Sequence, residues 1–280
     1  MTKVTIIGFG NLGSHLFYAL KKSGKYSINY TVKNSKVKIN KEKINQSDII
    51  FITTQDSKIK KVVNQLKGKS INLRNKFVFH TSGALASDIL YPLRPGGCYA
   101  GSFHPVQTFQ SPAKNYSRLF ENIFIAAEGD QLALKKATYI IKSIRAKPLI
   151  LSKENKILHH ICCVIASNYL VTLIRHITNF KKILKNGFKN RRFFSIYEPL
   201  TSQTLKNIKS RGILNSLTGP VERNDKETIK LHLRTLEKKM PSLLNFYSYL
   251  GIETAELALQ KGSLNKKSFL AITNLFKKYL

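Results

Sequence analysis

Short apolar runs alternate with amphipathic stretches over the first half of the chain. The runs are rich in Ile, Val and Phe, as buried strands are, and the stretches between them follow the helical period. Because strands that alternate with helices form a sheet covered on both faces, this half predicts a doubly wound parallel α/β fold. Asp56 is predicted to be the N-cap of the second helix. The predicted strands cover residues 4–7, 28–33, 48–54, 76–81, 99–103, 122–127 and 147–151, and the helices cover 11–22, 56–66 and 130–144.

The pattern changes near residue 152. From residue 153 onwards the apolar positions follow the helical period, and candidate strands are few. We therefore predict two domains, a sheet domain over residues 1–152 and an all-α domain over residues 153–280. The predicted helices of the second domain cover residues 153–180, 194–209, 225–238, 253–261 and 266–278.

The chain is strongly basic, with 47 Lys and Arg against 15 Asp and Glu among its 280 residues and a formal charge of +32. A nucleic-acid-binding face is usually a patch, and bidentate readers of phosphate favour Arg over Lys. Here Lys greatly outnumbers Arg and the basic excess is spread over both halves, so we expect no specific nucleic-acid partner. An RNA-associated basic protein is left as the weakest alternative. The densest basic tract has no assigned function and consists of Lys181, Lys182, Lys185, Lys189, Arg191 and Arg192.

Two further classes are disfavoured. The longest mostly apolar run, residues 161–174, is shorter than the roughly 20 residues of a membrane span and contains three polar residues, so no membrane span is expected. Cys98, Cys162 and Cys163 show neither a disulfide framework nor the spacing of metal ligands. We expect buried, reduced cysteines in a cytoplasmic protein that holds no metal.

The first predicted strand ends in a glycine turn that opens the first helix. The turn reads Gly8-Phe9-Gly10-Asn11-Leu12-Gly13, the G-x-G-x-x-G pattern of dinucleotide-binding (Rossmann) domains. In that pattern the first Gly makes a tight turn, the second lets the backbone approach a pyrophosphate, and the third lets the helix pack on the strand. Because the strand–turn–helix context is the required one, we predict cofactor contacts at Gly8, Gly10, Asn11, Leu12 and Gly13. The alternative is a tight turn in an α/β fold that binds no ligand.

The end of the second strand indicates which dinucleotide is bound. NAD-binding sites place an acidic residue here to accept hydrogen bonds from the ribose hydroxyls, and this strand end has none. Lys33, Ser35 and Lys36 could instead hold the 2′-phosphate of NADP, which we predict in preference to NAD, and Asn34 is predicted to contact the cofactor beside them. The alternative is that these lysines are simply solvated.

Several later stretches carry a resemblance to a known family. They include Thr54-Gln55-Asp56, His80-Thr81-Ser82-Gly83, Phe103-His104-Pro105 and Ser167-Asn168-Tyr169. As an ordered set they resemble the Rossmann-like plus DUF2520 proteins, which are provisionally described as NADP oxidoreductases. That group is similar in architecture to pyrroline-5-carboxylate reductase and prephenate dehydrogenase. The chain departs from the family pattern at Arg223-Asn224-Asp225, where Arg-Gly-Asp is expected.

The resemblance implies an NADP site that includes Thr54 and Gln55, a small-molecule substrate and a homodimer. It also implies that His104, in a His-Pro turn, lies beside the substrate, and that the long helix presents a polar face to the nicotinamide. His160, with Ser167 or Asn168, corresponds to that polar face, and His160 and Asn168 are the predicted catalytic residues.

Residue chemistry adds alternatives at each candidate catalytic position. Ser82 lies at a strand end where ligands bind, but it could equally be a helix N-cap. His104 could donate to a carbonyl, or its ring could merely be hydrogen-bonded in a turn. His160 could be the general acid of hydride transfer, or a satisfied core histidine.

The sequence therefore predicts an NADP-dependent oxidoreductase that acts on a small, anionic carbonyl, imine or hydroxy compound. A non-catalytic NADP-binding sensor or scaffold is the principal alternative.

Overall fold

The computed structural model describes residues 1–33, 39–112, 118–184 and 193–280, which fall into two compact units, Met1–Tyr169 and Leu170–Leu280. The first unit is built on one seven-stranded sheet whose strands lie in the order β2-β1-β3-β4-β5-β6-β7. The strands are β1 (Thr2–Ile7), β2 (Tyr26–Val32), β3 (Ile49–Ile52), β4 (Phe77–His80), β5 (Tyr99–Pro105), β6 (Phe124–Gly129) and β7 (Lys147–Ile150).

The sheet is parallel from β2 across to β5, as predicted, but β6 pairs antiparallel with β5. A parallel neighbour needs a crossover connection, usually a helix, whereas an antiparallel neighbour needs only a loop. The described parts of the connection between β5 and β6, residues 106–112 and 118–123, contain no helix. This explains the reversal of β6, and β7 then pairs parallel with β6.

Both faces of the sheet are covered by an apolar core. Because side chains alternate along each strand, one strand contributes to both cores. On one face Phe51 of β3 packs in a core with Leu16 and Leu20. On the opposite face Ile50 and Ile52 pack in a second core. The helices of this unit are α1 (Asn11–Lys22), α2 (Lys41–Asn45), α3 (Asp56–Leu66), α4 (Gln131–Ser143) and α5 (Lys153–Val164), with a 3-10 helix at Ser87–Gly96.

The predicted N-cap of α3 is wrong. Gln55 occupies the N-cap position without a side-chain cap, and Asp56 is the first helical residue. The Asp56 carboxylate instead accepts a hydrogen bond from Ser82 Oγ at 2.7 Å. A long-range partner has therefore replaced the local bond that Asp makes at an N-cap.

The predicted long helix is present but contains a local change of winding. It runs through α5, a π-helical turn at Ile165–Tyr169, α6 (Leu170–Asn179) and a 3-10 turn at Phe180–Lys182. The boundary between the compact units falls at the end of the π-helical turn, so α5 belongs to the sheet unit. The predicted domains divide at residue 152, just before this helix.

The second unit is helical, as predicted, and has its own apolar core. Ile229, Leu233 and Phe276 are among its buried residues. After α6 its helices are α7 (Glu198–Arg211), α8 (Ile213–Ser216), α9 (Lys226–Lys239), α10 (Pro241–Lys261) and α11 (Lys266–Lys277), with 3-10 turns at Phe180–Lys182 and Phe193–Ile196.

The departure from the family's Arg-Gly-Asp pattern is accommodated by the backbone. Asn224 adopts a φ of +56°, a left-handed conformation that Gly adopts freely and that Asn tolerates better than most residues. Its side-chain amide donates to Ser268 Oγ at 3.1 Å. Asp225 then caps α9 by accepting from the Thr228 amide at 3.0 Å.

Across the described ranges, one helix is long and apolar enough to cross a membrane by length and composition, the 30 residues Lys153–Lys182. The apolar run considered in the sequence covers less than half of that length. Core helices of soluble proteins meet the same two criteria, so length and composition do not decide what covers this helix.

Candidate functional site

The glycine turn has the geometry that a dinucleotide requires. Gly8 has a φ of +110°, and a Cβ there would lie 2.7 Å from the backbone of Thr53 and Thr54. A Cβ on Gly13 would collide with the Gly8 carbonyl oxygen, so Gly13 is what allows α1 to lie against β1. Gly10 is different, because a Cβ there would meet no atom within 4 Å. Gly10 therefore faces open space at the start of α1, where a pyrophosphate would lie.

The turn forms one wall of a cleft of about 630 Å³. The N-terminus of α1, which borders it, has no side-chain cap and no acidic residue in its first turn, so its amide groups are available to an anion. Thr54 Oγ1 is buried and has no hydrogen-bond partner among the described residues. The lining residues are Gly8, Gly10, Asn11, Leu12, Lys33, Thr53, Thr54, Gln55, Lys58 and Thr81.

Most of the predicted cofactor residues therefore line one cleft. Gly13 packs behind the turn, while Asn34, Ser35 and Lys36 lie outside the described residues. Lys58 lines the cleft without having been predicted. In so Lys-rich a chain, one further Lys in a helix carries no distinguishing signal. The donor set of backbone amides, a free hydroxyl and two lysines fits a phosphorylated dinucleotide.

Ser82 lies at the carboxyl end of β4, next to this cleft. Its hydroxyl donates to Asp56 Oδ2 at 2.7 Å and accepts from the amides of Ala84 and Leu85 at 3.2 and 2.9 Å. The three hydrogen bonds of this hydroxyl all stabilise the loop that follows β4. Ser82 therefore caps a turn, which supports the capping alternative raised by the sequence. The nearest helix, at Ser87–Gly96, begins later.

His80, the last residue of β4, is a structural histidine. Its Nδ1 accepts from the Ser82 amide at 3.2 Å, so its Nε2 carries the proton that is donated to the Ala86 oxygen at 3.1 Å. Burial lowers the pKa of His80 to about 3, which keeps the ring neutral.

Gly83 brings two of the predicted catalytic residues together. A Cβ at this position would collide with His160 Nδ1 and would lie 2.8 Å from His104 Nε2. The two imidazole centroids are 5.8 Å apart. The Nδ1 atoms of both rings are buried, with no hydrogen-bond partner in the parts of the chain that are described. Burial, aided by the nearby Lys156 charge, lowers the pKa of His104 to about 3, so this ring is neutral.

Lys156 is the functional candidate that the sequence interpretation did not select. It lies on α5, one turn before His160, and its side chain is only 1% exposed. Burial lowers its pKa to about 8, although the carboxylates of Glu128 and Asp56 oppose that shift. Glu128 is itself buried and accepts a hydrogen bond from Ser87 Oγ at 3.0 Å. The available sequence signal was a Lys four residues before His160, because that spacing places both residues on one face of the helix.

The cysteines differ from expectation. Cys98 is buried, but Cys162 is exposed and Cys163 is half-buried. Ligand atoms of Cys163, His104 and His159 all lie within 4.8 Å of one another. The sequence interpretation expected no metal because these residue types lack ligand spacing along the chain. The fold brings three of them together in space, and the expectation of no metal stays a prediction. His104 is far in the sequence from His159 and Cys163, so no short sequence motif indicates that the three residues lie together.

Asn168, the remaining predicted catalytic residue, is exposed within the π-helical turn. A π-helical turn changes the angular position of the residues that follow, so the 100° step from His160 does not place Asn168. Its catalytic assignment stays a prediction.

Two family models match the chain. A Rossmann-like domain model matches residues 1–105, and the DUF2520 model, a domain of unknown function, matches residues 123–254. The chain is a Rossmann-like plus DUF2520 protein. Its DUF2520 match begins at residue 123, immediately before β6, so the match includes β6 and β7.

Solved structures share the fold of this Rossmann-like plus DUF2520 protein. A Bacteroides fragilis protein, provisionally described as an NADP oxidoreductase, aligns with a TM-score of 0.72 at 18% identity over 91% of this chain and 98% of its own. A Thermotoga maritima protein aligns with a TM-score of 0.64 at 22% identity over 99% and 97%. Pyrroline carboxylate reductase from Plasmodium falciparum, solved with NADP bound, aligns with a TM-score of 0.58 at 14% identity over 97% and 98%. No curated protein sequence matches the chain.

Proposed function

We propose that the protein is an NADP-dependent oxidoreductase that transfers hydride to or from a small, anionic carbonyl, imine or hydroxy compound. One observation carries the proposal. The cleft at the glycine turn reaches Thr81, and the same strand end continues through Ser82 to Gly83, which borders His104 and His160. A dinucleotide in the cleft would therefore end beside these two rings and Lys156. The NADP named for the Bacteroides and Plasmodium proteins supports the choice of cofactor.

The proposed division of labour follows from burial and charge. Bound NADPH supplies the hydride. We assign the matching proton to Lys156, because a pKa of about 8 lets its ammonium both exist and release a proton near neutral pH. His104 and His160 hydrogen-bond and orient the oxygen or nitrogen that accepts this proton. The positive charge of Lys156 also favours an anionic substrate in this largely buried place.

Lys33 provides the first test, through cofactor choice. Lys33 lines the cleft at the end of β2, where an NAD site would carry an acidic residue. Lys33→Glu is expected to weaken NADPH binding at least about tenfold, or ~1.4 kcal/mol, and to affect NADH much less. Fluorescence titration with both cofactors measures this. Lys60→Glu makes the same charge change at an exposed position of α3 that does not line the cleft, and it should leave both affinities unchanged.

Equal affinity of the parent chain for NADPH and NADH would refute the 2′-phosphate assignment. No binding of either cofactor at millimolar concentration would refute the proposed function itself. Cofactor binding without turnover of any carbonyl or imine compound in a broad screen would favour the sensor alternative.

We also propose that the protein is a cytoplasmic homodimer that joins through α5 and the turn after it. Five large apolar side chains there are 48–62% exposed in the single chain. The same helix carries Lys156 and His160 against the sheet unit, which argues against its leaving that unit to enter a bilayer. A second copy would cover these side chains without disturbing the site. They are Ile157, Leu158, Ile161, Ile165 and Tyr169.

Ile161→Glu tests this assembly. A carboxylate in an apolar interface is costly, so the parent chain should sediment as a dimer at micromolar concentration and the variant as a monomer. Leu132→Glu changes a similarly exposed apolar residue on α4 and should leave the dimer intact. A monomeric parent chain would contradict the proposal, and its co-sedimentation with lipid vesicles would indicate that a membrane covers the helix instead.

A further inference from the structure

Three side chains beside the candidate site form a group that the proposed hydride transfer does not use as a unit. His159 and Cys163 lie four residues apart on α5, so they project from the same face of the helix. His104 reaches them from the end of β5, with its ring centroid 6.0 Å from that of His159. One ligand atom from each of the three residues lies within 4.8 Å of the other two.

The distance between the two donors on α5 matches that of a tetrahedral metal ion. Zn–S bonds of about 2.3 Å and Zn–N bonds of about 2.0–2.1 Å place sulfur and nitrogen roughly 3.6 Å apart at a tetrahedral angle. Cys163 Sγ lies 3.6 Å from His159 Nε2. The pair on α5 is thus already at ligand spacing, and a small movement of the His104 ring would bring its nitrogen to the same distance.

The two histidine donors are in a suitable chemical state, whereas burial raises the pKa of the Cys163 thiol, so metal binding would have to displace its proton. Metal ions bind neutral imidazole and thiolate. Burial lowers the pKa of both His104 and His159, so the two rings are neutral at neutral pH. His104 Nδ1 is buried and lacks a hydrogen-bond partner among the described residues, which leaves its lone pair or proton unmatched. A thiolate at Cys163 would reduce the positive charge that an ion adds near Lys156.

We propose that His104, His159 and Cys163 bind a divalent transition-metal ion of the zinc class, with three protein ligands and a fourth position open to water. Two imidazoles and one thiolate form a borderline-soft donor set, which suits Zn²⁺ or Co²⁺ and disfavours Mg²⁺ and Ca²⁺. The site does not include the residues that line the dinucleotide cleft. Metal binding and cofactor binding can therefore succeed or fail separately.

Titration of the metal-free full-length chain with Co²⁺ tests the proposal, because a cobalt–thiolate bond gives a charge-transfer absorption that imidazole ligands alone do not give. One equivalent of Co²⁺ per chain is expected to produce this absorption, and Zn²⁺ should abolish it by displacement. Cys163→Ser should remove the absorption and weaken Co²⁺ binding by at least about 100-fold, the upper range for loss of an outer-shell partner. His159→Ala should weaken binding comparably.

Cys162→Ser is the matched control, since Cys162 is adjacent, exposed and outside the group. It should keep the absorption and the affinity of the parent chain. NADPH titration and thermal unfolding of each variant show whether the fold is intact. Absence of the absorption in the folded parent chain would overturn the proposal, and so would its persistence in Cys163→Ser. Neither result would alter the proposed cofactor site, which the NADPH titration measures independently.

Discussion

Lys156→Met is expected to abolish most hydride-transfer activity and at the same time to stabilise the protein. Loss of a positioned proton donor typically lowers kcat by about 10²–10⁴-fold. On the proposed function, the parent chain should also reduce substrate more slowly as the pH rises through about 8, because the ammonium form of Lys156 is then depleted. Any residual activity of Lys156→Met should not show this decrease in rate above about pH 8.

The stability change follows from linkage. Burial lowers the pKa of Lys156 to about 8 from its ordinary 10.5, so the unfolded chain binds more protons than the folded chain between these pH values. The free energy of unfolding therefore rises with pH over this interval, and the burial penalty is fully present below pH 8. At 1.36 kcal/mol for each tenfold change in acidity, the penalty is about 3 kcal/mol. Methionine removes the charge and with it most of this net penalty, in which the attraction of Glu128 is already included, so we expect a gain of about 1–3 kcal/mol at neutral pH.

Chemical denaturation at several pH values measures both effects. Lys153→Met is the control, because Lys153 lies on the same helix but is half-exposed and paired with Asp88 at 2.5 Å. Lys153→Met should leave the free energy of unfolding nearly unchanged, because exposed ion pairs contribute little, and the rise of that free energy above pH 8 should persist. If Lys156→Met destabilised the protein while that rise persisted, Lys156 would not be the buried titrating group.

Gly10→Ala and Gly13→Ala should separate cofactor binding from folding within a single turn. A Cβ on Gly13 collides with the Gly8 carbonyl oxygen, so α1 has to move away from the sheet. Overpacking of this kind costs about 3 kcal/mol or more when the neighbour is backbone and cannot repack. A Cβ on Gly10 meets no atom within 4 Å. The free energy of unfolding of Gly10→Ala should therefore differ from that of the parent chain by less than about 1 kcal/mol.

The Gly10 methyl would nevertheless occupy the space through which a pyrophosphate approaches the backbone. NADPH affinity should therefore fall at least about tenfold, or ~1.4 kcal/mol, in a variant that unfolds like the parent. Thermal unfolding paired with NADPH fluorescence measures the two quantities on the same samples. A Gly10→Ala variant with the affinity of the parent chain would mean that the pyrophosphate does not lie at Gly10.

The order and type of the main elements follow from the sequence because they depend on local patterns. Buried β-branched runs and the helical period place β1, α1, β3 and α3 within a few residues of their observed limits. The direction of β6 does not follow, since a strand's own side-chain pattern is the same in either direction. It depends on the connection that precedes β6, and a loop has no periodic pattern to recognise.

The candidate site divides in the same way. The glycine turn is local, so the tight turn at Gly8 and the close packing at Gly13 could be predicted from the sequence. The grouping of His104 with His159 and Cys163, and the burial of Lys156, depend on how α5 lies against the ends of β4 and β5. The π-helical turn adds a further obstacle, because it breaks the angular rule that would extend the polar face from His160 to Asn168.

The hydrogen bond between Ser82 and Asp56 connects the loop that lines the cleft with the loop that contacts the histidine pair. Asp56 directly follows Gln55, which lines the cleft, and Ser82 directly precedes Gly83, which separates the two imidazoles. A ligand that orders the loop at Thr54 and Gln55 would also restrict the motion of Gly83, and the entropic cost of that ordering is met only once. By linkage the converse also holds. A ligand in the cleft and a ligand at the histidine pair would each tighten the binding of the other by the same factor.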